Sequence, residues 1–135
     1  MLKVFVYGTL QPGEVNFPRY CQSHGPQVTR ALIPGQLYHL PVGYPALVPG
    51  SGWVEGCLLS FADGAVLAKL DELEDYQPGR SPAENEYQRV KALIYADPQT
   101  ILTEAWVYVM TPQKIAQLGG VPFVGSRWCG LPTVG

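Results

Sequence analysis

The sequence predicts an α+β fold, a small mixed β-barrel of about six short strands with one central and one late helix. Of its 135 residues, 15 are Gly and 13 are Pro, and this density of turn-forming residues excludes a helical bundle. Hydrophobic residues make up 47% of the chain, which is enough to form a core and excludes disorder for most of it. The length fits one domain, so we expect a folded unit over residues 1–118 and a Gly/Pro-rich tail, residues 119–135, packed on it.

The strands are predicted from runs of β-branched and aromatic residues that end at turn residues. The first run stops at Gly8, and Gly56 within a later run predicts a bulge or a close approach of two backbones. Residues 41–52 contain so many Pro and Gly that they are interpreted as a long turn-rich passage. The predicted strands are residues 2–7, 28–40 (as two strands or one bent strand), 53–61, 87–95 and 101–110.

Two helices are predicted, one in the middle of the chain and one near its end. Residues 65–75 contain no Gly or Pro and several strong helix formers, and Asp63 is able to cap them. Residues 112–118 form the second helix, with Thr111 as its cap, a Pro in its first turn and a Gly pair after it. The two long connections are residues 11–26, with room for one irregular helical turn, and residues 77–86.

Composition and charge exclude several classes of function. With 9 basic and 11 acidic residues, the chain lacks the excess of Lys and Arg that is typical of nucleic-acid-binding proteins. No apolar run approaches the roughly 18–20 residues of a membrane span, and the apolar start is too short for a signal peptide, so we expect a cytoplasmic protein. The cysteines and histidines lack the spacing of metal ligands, so no metal site is expected at Cys21, Cys57, Cys129, His24 or His39.

Glu74 is an acidic residue on the apolar face of the predicted central helix. At about 100° per residue, four apolar residues define an arc, and Glu74 falls within it, between Leu70 and Leu67; the four are Val66, Leu67, Leu70 and Leu73. A carboxylate in that position loses hydration, which raises its pKa. Three interpretations stay open: an edge residue that reaches solvent, one partner of a structural ion pair, or a functional acid/base that faces a cavity.

A glycine-containing turn follows the first predicted strand, with the sequence Tyr7-Gly8-Thr9-Leu10. A strand that ends in Gly turns sharply and leaves backbone N–H groups free for a ligand, such as a carboxylate or a developing oxyanion. The segment has neither the phosphate-binding GxxxxGK[ST] pattern nor the dinucleotide-binding GxGxxG pattern. A plain turn is therefore the alternative interpretation.

Taken together, these two features resemble the γ-glutamylcyclotransferase family, in its AIG2-like branch. The resemblance covers about residues 2–110 and leaves the Gly/Pro-rich C-terminal end outside. The motifs that carry it are, in chain order, Tyr7-Gly8-Thr9-Leu10, Gly43-Tyr44-Pro45-Ala46-Leu47, Val54-Glu55-Gly56, Leu70-Asp71 with Glu74, Tyr87 with Arg89, and Ala105-Trp106-Val107-Tyr108.

The resemblance implies an enzyme that needs no cofactor and acts on a small molecule. It implies that Glu74 is the catalytic residue, as general base and then general acid, in the conversion of a γ-glutamyl amino acid or γ-glutamylamine into 5-oxoproline and the free amine. The alternative is a catalytically inactive module that binds a small metabolite or a partner on the same fold. The residues assigned to substrate binding are Tyr7, Gly8, Thr9, Leu10, Tyr44 and Tyr87.

Other polar and aromatic residues have simpler interpretations. Aromatic residues on strands are more often core than pocket residues, and Arg89 is expected to pair with Glu55 or Glu86 at the surface. The chain is expected to be a monomer or a weak homodimer, with Phe123 and Trp128 of the tail available for a contact.

Overall fold

The computed structural model describes residues 1–129, in which six strands form one mixed sheet accompanied by three short helices. The predicted α+β class and the predicted number of strands are confirmed. The strands are β1 (Leu2–Val6), β2 (Gln27–His39), β3 (Pro45–Phe61), β4 (Gln88–Asp97), β5 (Thr100–Val109) and β6 (Val121–Pro122). The helices are α1 (Phe17–Tyr20), α2 (Val66–Leu73) and α3 (Pro112–Leu118).

The strand order in the sheet is β3-β1-β5-β4-β2-β6, and β3 makes a further pairing with β2. The pairing of β1 with β5 is parallel, and the other pairings are antiparallel. The first strand therefore lies in the interior of the sheet, between β3 and β5, and the turn that follows it begins at the end of an interior strand. The pairings define a sheet, and its closure into a barrel stays a prediction.

The strand β3 begins earlier than the sequence predicted. Residues 41–52 were expected to be a turn-rich passage, but from Pro45 onward they belong to β3 and pair with the end of β2. The expectation was wrong because β2 and β3 stay paired on both sides of a bulge. The pairing register shifts between Pro34 and Gly35 of β2, and residues 50–52 of β3 have no partner there. Gly50 and Gly52, which suggested turns, lie in this bulge, and both strands continue past it.

The helices agree closely with their predicted positions. The hydroxyl of Thr111 accepts a hydrogen bond from the Lys114 N–H at 3.1 Å and caps α3, which ends at Gly119. The central helix α2 is shorter than expected, because it ends at Leu73 instead of continuing to residue 75. The irregular turn allowed for in the first long loop is α1. None of the helices within residues 1–129 has the length and apolar character that a membrane crossing requires.

The core consists of two clusters, and β1 contributes to both because its side chains alternate between the two faces of the sheet. Val4 and Val6 belong to the cluster that packs against α2. Phe5 and Tyr7 belong to the second cluster, which also contains Trp128. Both ends of the described chain therefore meet in the second cluster.

Gly56 allows β3 to lie very close to β1. A Cβ atom at this position would lie 2.3 Å from the Val6 carbonyl oxygen and 2.8 Å from Cζ of Phe5. Such distances exclude any side chain, so the predicted close approach of two backbones at Gly56 is confirmed.

The first part of the predicted tail is joined to the sheet. Strand β6 pairs with β2, and the carbonyl oxygen of Ser126 accepts a hydrogen bond from the Glu55 N–H at 2.7 Å. Trp128 is only 2% exposed. The boundary proposed between residues 118 and 119 stays a prediction, and residues 130–135 lie outside the described residues.

Candidate active site

A cavity of about 120 Å³ that is open to solvent lies between the end of β1 and the end of α2. All seven residues that the sequence assigned to a site line this cavity: Glu74, Tyr7, Gly8, Thr9, Leu10, Tyr44 and Tyr87. The remaining lining residues are Phe5, Val6, Asn16, Pro45, Leu73, Glu86 and Tyr108. The structure thus brings the predicted residues together, and their roles stay predictions.

Glu74 is the residue directly after α2, and its N–H group donates the closing hydrogen bond to the Leu70 carbonyl oxygen at 2.9 Å. The residue is partly exposed to the cavity, while protein surrounds its carboxyl group. Burial raises the pKa of this carboxyl from 4.5 to about 8, and the negative charge of Glu86 adds to the rise. No cation within residues 1–129 pairs with Glu74, so the structure does not support the interpretation as a structural ion pair.

The loop after β1 offers backbone donors to the same cavity. Within residues 1–129, the N–H groups of Gly8, Thr9 and Leu10 donate no backbone hydrogen bond. The loop is braced by Asn16, whose side-chain amide donates to the Thr9 hydroxyl and whose N–H donates to the Thr9 carbonyl oxygen, both at 2.9 Å. Free N–H groups on a fixed loop form a site for a carboxylate or an oxyanion.

Gly8 is required where the loop passes β3. A Cβ atom at Gly8 would lie 2.9 Å from Cγ of Pro45, which also lines the cavity. A larger residue would therefore push the loop and its N–H groups away from the cavity wall.

The hydroxyl groups of Tyr7 and Tyr87 are occupied by backbone hydrogen bonds. Tyr7 donates to the Tyr108 carbonyl oxygen at 2.6 Å and accepts from the Leu47 N–H at 3.2 Å. Tyr87 donates to the Pro45 carbonyl oxygen at 2.6 Å. Burial raises the pKa of both phenols well above the usual range, so they stay protonated as donors. Their rings line the cavity, while their hydroxyl groups hold the strands around it.

Asp71 anchors α2 to the strands and differs in this from Glu74. Its Oδ1 accepts a hydrogen bond from the Tyr108 hydroxyl at 2.7 Å and lies 2.8 Å from Nε of Arg89, an ion pair without hydrogen-bond geometry. The guanidinium of Arg89 lies over the ring of Trp106, 4.3 Å from its centroid. The expected pairing of Arg89 with Glu55 or Glu86 is therefore wrong, because the helix brings Asp71 closer.

Glu86 is a cavity residue that the sequence did not identify. It precedes β4, and its N–H donates to the Asp75 carbonyl oxygen at 3.2 Å, while the Tyr87 N–H donates to the Glu74 carbonyl oxygen at 3.3 Å. These two bonds place Glu86 next to Glu74. The Tyr44 hydroxyl donates a short hydrogen bond to Oε1 of Glu86. No sequence signal was available, because the connecting loop brings the two carboxylates together.

Comparison with known proteins supports the same family that the sequence motifs indicate. The family model described as "Gamma-glutamyl cyclotransferase, AIG2-like" matches residues 4–129. The gamma-L-glutamyl-butirosin B gamma-glutamyl cyclotransferase of Niallia circulans is 32% identical over 109 residues, which make up 81% of this chain and 67% of that protein.

Solved structures share the fold. The crystal structure of an AIG2-like protein from Mus musculus matches with a TM-score of 0.68 at 24% identity, over 96% of this chain and 88% of that one. The solution structure of protein ytfP from Escherichia coli matches with a TM-score of 0.63 at 28% identity, over 94% of this chain and 96% of that one. The family match also includes residues 111–129, which the motif resemblance had left outside. The chain belongs to the AIG2-like γ-glutamyl cyclotransferase family.

Proposed function

We propose that this protein is a γ-glutamyl cyclotransferase that releases 5-oxoproline and a free amine from a γ-glutamyl amide. The observation that carries the proposal is the position of Glu74, whose buried carboxyl has a pKa of about 8 and lines the same cavity as the free N–H groups of residues 8–10. A buried carboxyl without a cationic partner costs folding free energy, so its presence calls for a functional reason.

Glu74 transfers protons in both directions. A carboxyl with a pKa near neutrality is basic enough to accept a proton and acidic enough to return it. The α-ammonium of the γ-glutamyl group must lose a proton before its nitrogen becomes a nucleophile. The departing amine must gain one. One group with a raised pKa serves both steps.

The loop after β1 supplies the donors for charge on the substrate. The free N–H groups of Gly8, Thr9 and Leu10 accommodate the α-carboxylate of the glutamyl group or the oxyanion that forms at its γ-carbonyl. Binding of the glutamyl arm in a folded conformation brings its amine to its own γ-carbon. The brace from Asn16 keeps these donors in place without a change during the reaction.

The chemical steps balance within the substrate and one side chain. Ionised Glu74 takes a proton from the α-ammonium, and the amine nitrogen attacks the γ-carbonyl carbon to close a five-membered ring. Glu74 returns its proton to the amide nitrogen, the tetrahedral intermediate collapses and the bond from carbon to that nitrogen breaks. Ionised Glu74 then takes the second proton from the ring nitrogen and passes it to the departing amine, which leaves as an ammonium, so that Glu74 ends the reaction ionised. The products are 5-oxoproline and the free amine.

The γ-glutamyl group is the part of the substrate on which this proposal depends. The Niallia circulans relative is named a γ-L-glutamyl-butirosin B γ-glutamyl cyclotransferase, a name that includes the γ-glutamyl group. For the present chain, a γ-glutamyl amino acid and a γ-glutamylamine both provide the group that Glu74 and the loop would hold.

The substitution Glu74→Gln tests the proposal. It keeps the size of the side chain and removes its ability to accept a proton. We expect the rate of 5-oxoproline release from a panel of γ-glutamyl compounds to fall by about 10²–10⁴-fold, the usual contribution of a general acid/base. Chromatographic detection of 5-oxoproline measures the rate.

The matched control is Glu72→Gln, on the exposed side of the same helix, which should keep the wild-type rate. Wild-type rates in Glu74→Gln would show that Glu74 is not the base. Thermal stabilisation by γ-glutamyl compounds that the wild-type protein never converts would instead support the inactive binding module.

A further inference from the structure

The cavity contains two carboxylates, but the proposed reaction uses only Glu74. Glu86 is the second, and it is a partly exposed residue of the cavity lining. Among the residues of the described part of the chain that line the cavity, none is Lys, Arg or His. Neither ion pair within residues 1–129 includes Glu86, because Arg80 pairs with Asp75 and Arg89 pairs with Asp71. The negative charge of Glu86 is therefore available to a ligand.

Glu86 is held in a fixed position at the cavity wall. The Tyr44 hydroxyl donates to Oε1, and burial raises the pKa of this phenol above its usual range, so Tyr44 stays a donor and Glu86 the acceptor. Within residues 1–129, Oε2 has no hydrogen-bond partner. A carboxylate with one oxygen fixed and the other free is prepared to accept a charge-assisted hydrogen bond.

No group of the substrate's glutamyl arm is assigned to Glu86. The ammonium of this arm is assigned to Glu74, and its negatively charged groups are assigned to the N–H groups of residues 8–10. The remaining part of the substrate is the departing amine, and Glu86 is the lining carboxylate that the reaction leaves available to it. Tyr44 and Glu86 are partly exposed polar residues of the cavity lining that are bonded to each other, whereas the partly exposed Thr9 and Asn16 form their own hydrogen bond. A carboxylate on the departing amine would be repelled there, whereas a cation would be attracted.

We propose that Glu86, positioned by Tyr44, is a specificity-determining residue that selects γ-glutamylamines whose departing amine carries a second positive charge. The proposal rests on the proposed function and adds the class of the leaving group to it. Glu86 contacts the cation and takes no part in proton transfer to the reacting atoms.

The test compares two probes of equal size, γ-glutamyl-(3-aminopropyl)amide and γ-glutamyl-butylamide, which differ in one terminal ammonium. For the wild-type protein we expect kcat/KM to be about tenfold higher for the charged probe, as one charge-assisted hydrogen bond allows. In Glu86→Gln the ratio should fall to about one, with the loss in KM for the charged probe. Because both probes use the same base, any effect of Glu86 on the pKa of Glu74 cancels in the ratio.

Two further variants complete the experiment. Tyr44→Phe frees Glu86 from its hydrogen bond and should give an intermediate ratio, and Glu72→Gln should keep the wild-type ratio. A wild-type ratio near one, or an unchanged ratio in Glu86→Gln, would overturn the proposal. If the wild-type protein releases 5-oxoproline from a γ-glutamyl amino acid but cleaves neither probe, the proposal for Glu86 is wrong. If it cleaves neither the probes nor any compound of the γ-glutamyl panel, the proposed function is wrong. The dissociation constants of the two uncleaved probes then decide whether Glu86 selects the cation.

Discussion

Asp71 near the end of α2 and Glu74 directly after it have opposite electrostatic environments. Asp71 accepts a hydrogen bond from Tyr108 and pairs with Arg89, so its charge is compensated. Glu74, three residues later, has no cationic partner within residues 1–129 and faces the charge of Glu86. A buried carboxyl with a raised pKa, such as that of Glu74, is typical of acid/base catalysts. Asp71 stabilises the fold, whereas burial of Glu74 raises the pKa of its carboxyl and reduces the stability of the folded state.

The raised pKa of Glu74 predicts a pH-dependent cost in stability. Its folded-state pKa of about 8 lies above the ordinary 4.5, so between these values the folded state binds more protons than the unfolded state. The free energy of unfolding should therefore decrease as the pH rises from 4.5 to 8. Glu74→Gln removes this term and should be more stable than the wild type by about 1–3 kcal/mol at pH 8.5, with little difference at pH 4.

Urea unfolding at both pH values measures this difference, with Glu72→Gln as the control that should show none. An equal effect of Glu74→Gln at both pH values would mean that the carboxyl is not desolvated in the folded protein.

The sequence was sufficient to single out Glu74 as a candidate site residue but not to place Glu86 beside it. The helical wheel placed an acid among Leu residues, and this depends only on local periodicity. Glu86 lies twelve residues later, after a loop whose course depends on hydrogen bonds such as those of the buried Asn85 with Gln77 and Arg80. The position of a side chain at the end of such a loop depends on long-range contacts that no sequence pattern encodes.

At the scale of secondary-structure elements, the end of α2 determines where Glu74 points. The next residue, Asp75, has φ of +55° and is the non-glycine residue with positive φ among residues 1–129. This left-handed conformation ends the helix and turns the chain toward the loop that carries Glu86. Arg80 donates to the carbonyl oxygen of Asp75 at 2.7 Å and to its Oδ1 at 3.0 Å, which holds the turn.

Substitutions at Asp75 should follow the cost of a left-handed backbone. Asp75→Gly removes that cost and loses an exposed ion pair, so its free energy of unfolding should stay within about 1 kcal/mol of the wild type. Asp75→Val should lose about 1–2 kcal/mol, because a β-branched side chain clashes in this conformation. Asp75→Asn removes the charge but adopts the left-handed backbone as readily as Asp, so its free energy of unfolding should resemble that of the wild type. Urea unfolding gives all three values, and a Val variant as stable as the wild type would contradict the positive φ.

The element that the sequence misjudged shows where local rules fail. Pro45 and Pro49 suggested a turn, yet both lie in β3 and pair with β2. Proline is excluded from a strand only where its missing N–H is needed for the ladder. The helix α3, whose Thr cap and terminal Gly act locally, was predicted with its observed bounds. The capping residues of α3 predicted its ends correctly because they act within one turn of the chain. The prolines of β3 misled because their effect depends on the pairing with β2.

At the scale of the whole molecule, the described end of the chain supports the loop of the candidate site. The side-chain amide of Gln11, which follows this loop, donates to the carbonyl oxygens of Tyr7 at 2.9 Å and Trp128 at 3.1 Å. The indole N–H of Trp128 donates to Nδ1 of His39 at 3.4 Å. Through Gln11, the site loop and the C-terminal segment are joined by buried hydrogen bonds, so the segment is part of the fold around the site.

Trp128→Ala should therefore affect both stability and the site. Removal of a buried aromatic side chain costs about 3–5 kcal/mol of unfolding free energy, which urea unfolding measures. The same variant should raise KM for a γ-glutamyl substrate at a temperature where it stays folded, because Gln11 loses a fixed partner and the loop N–H groups are less well positioned. The control is Val124→Ala, at a side chain that is 96% exposed, which should change neither quantity. If Trp128→Ala unfolds like the wild type, the C-terminal segment does not pack in solution as the structure shows it, and the support of the site loop must come from β1 and Asn16 alone.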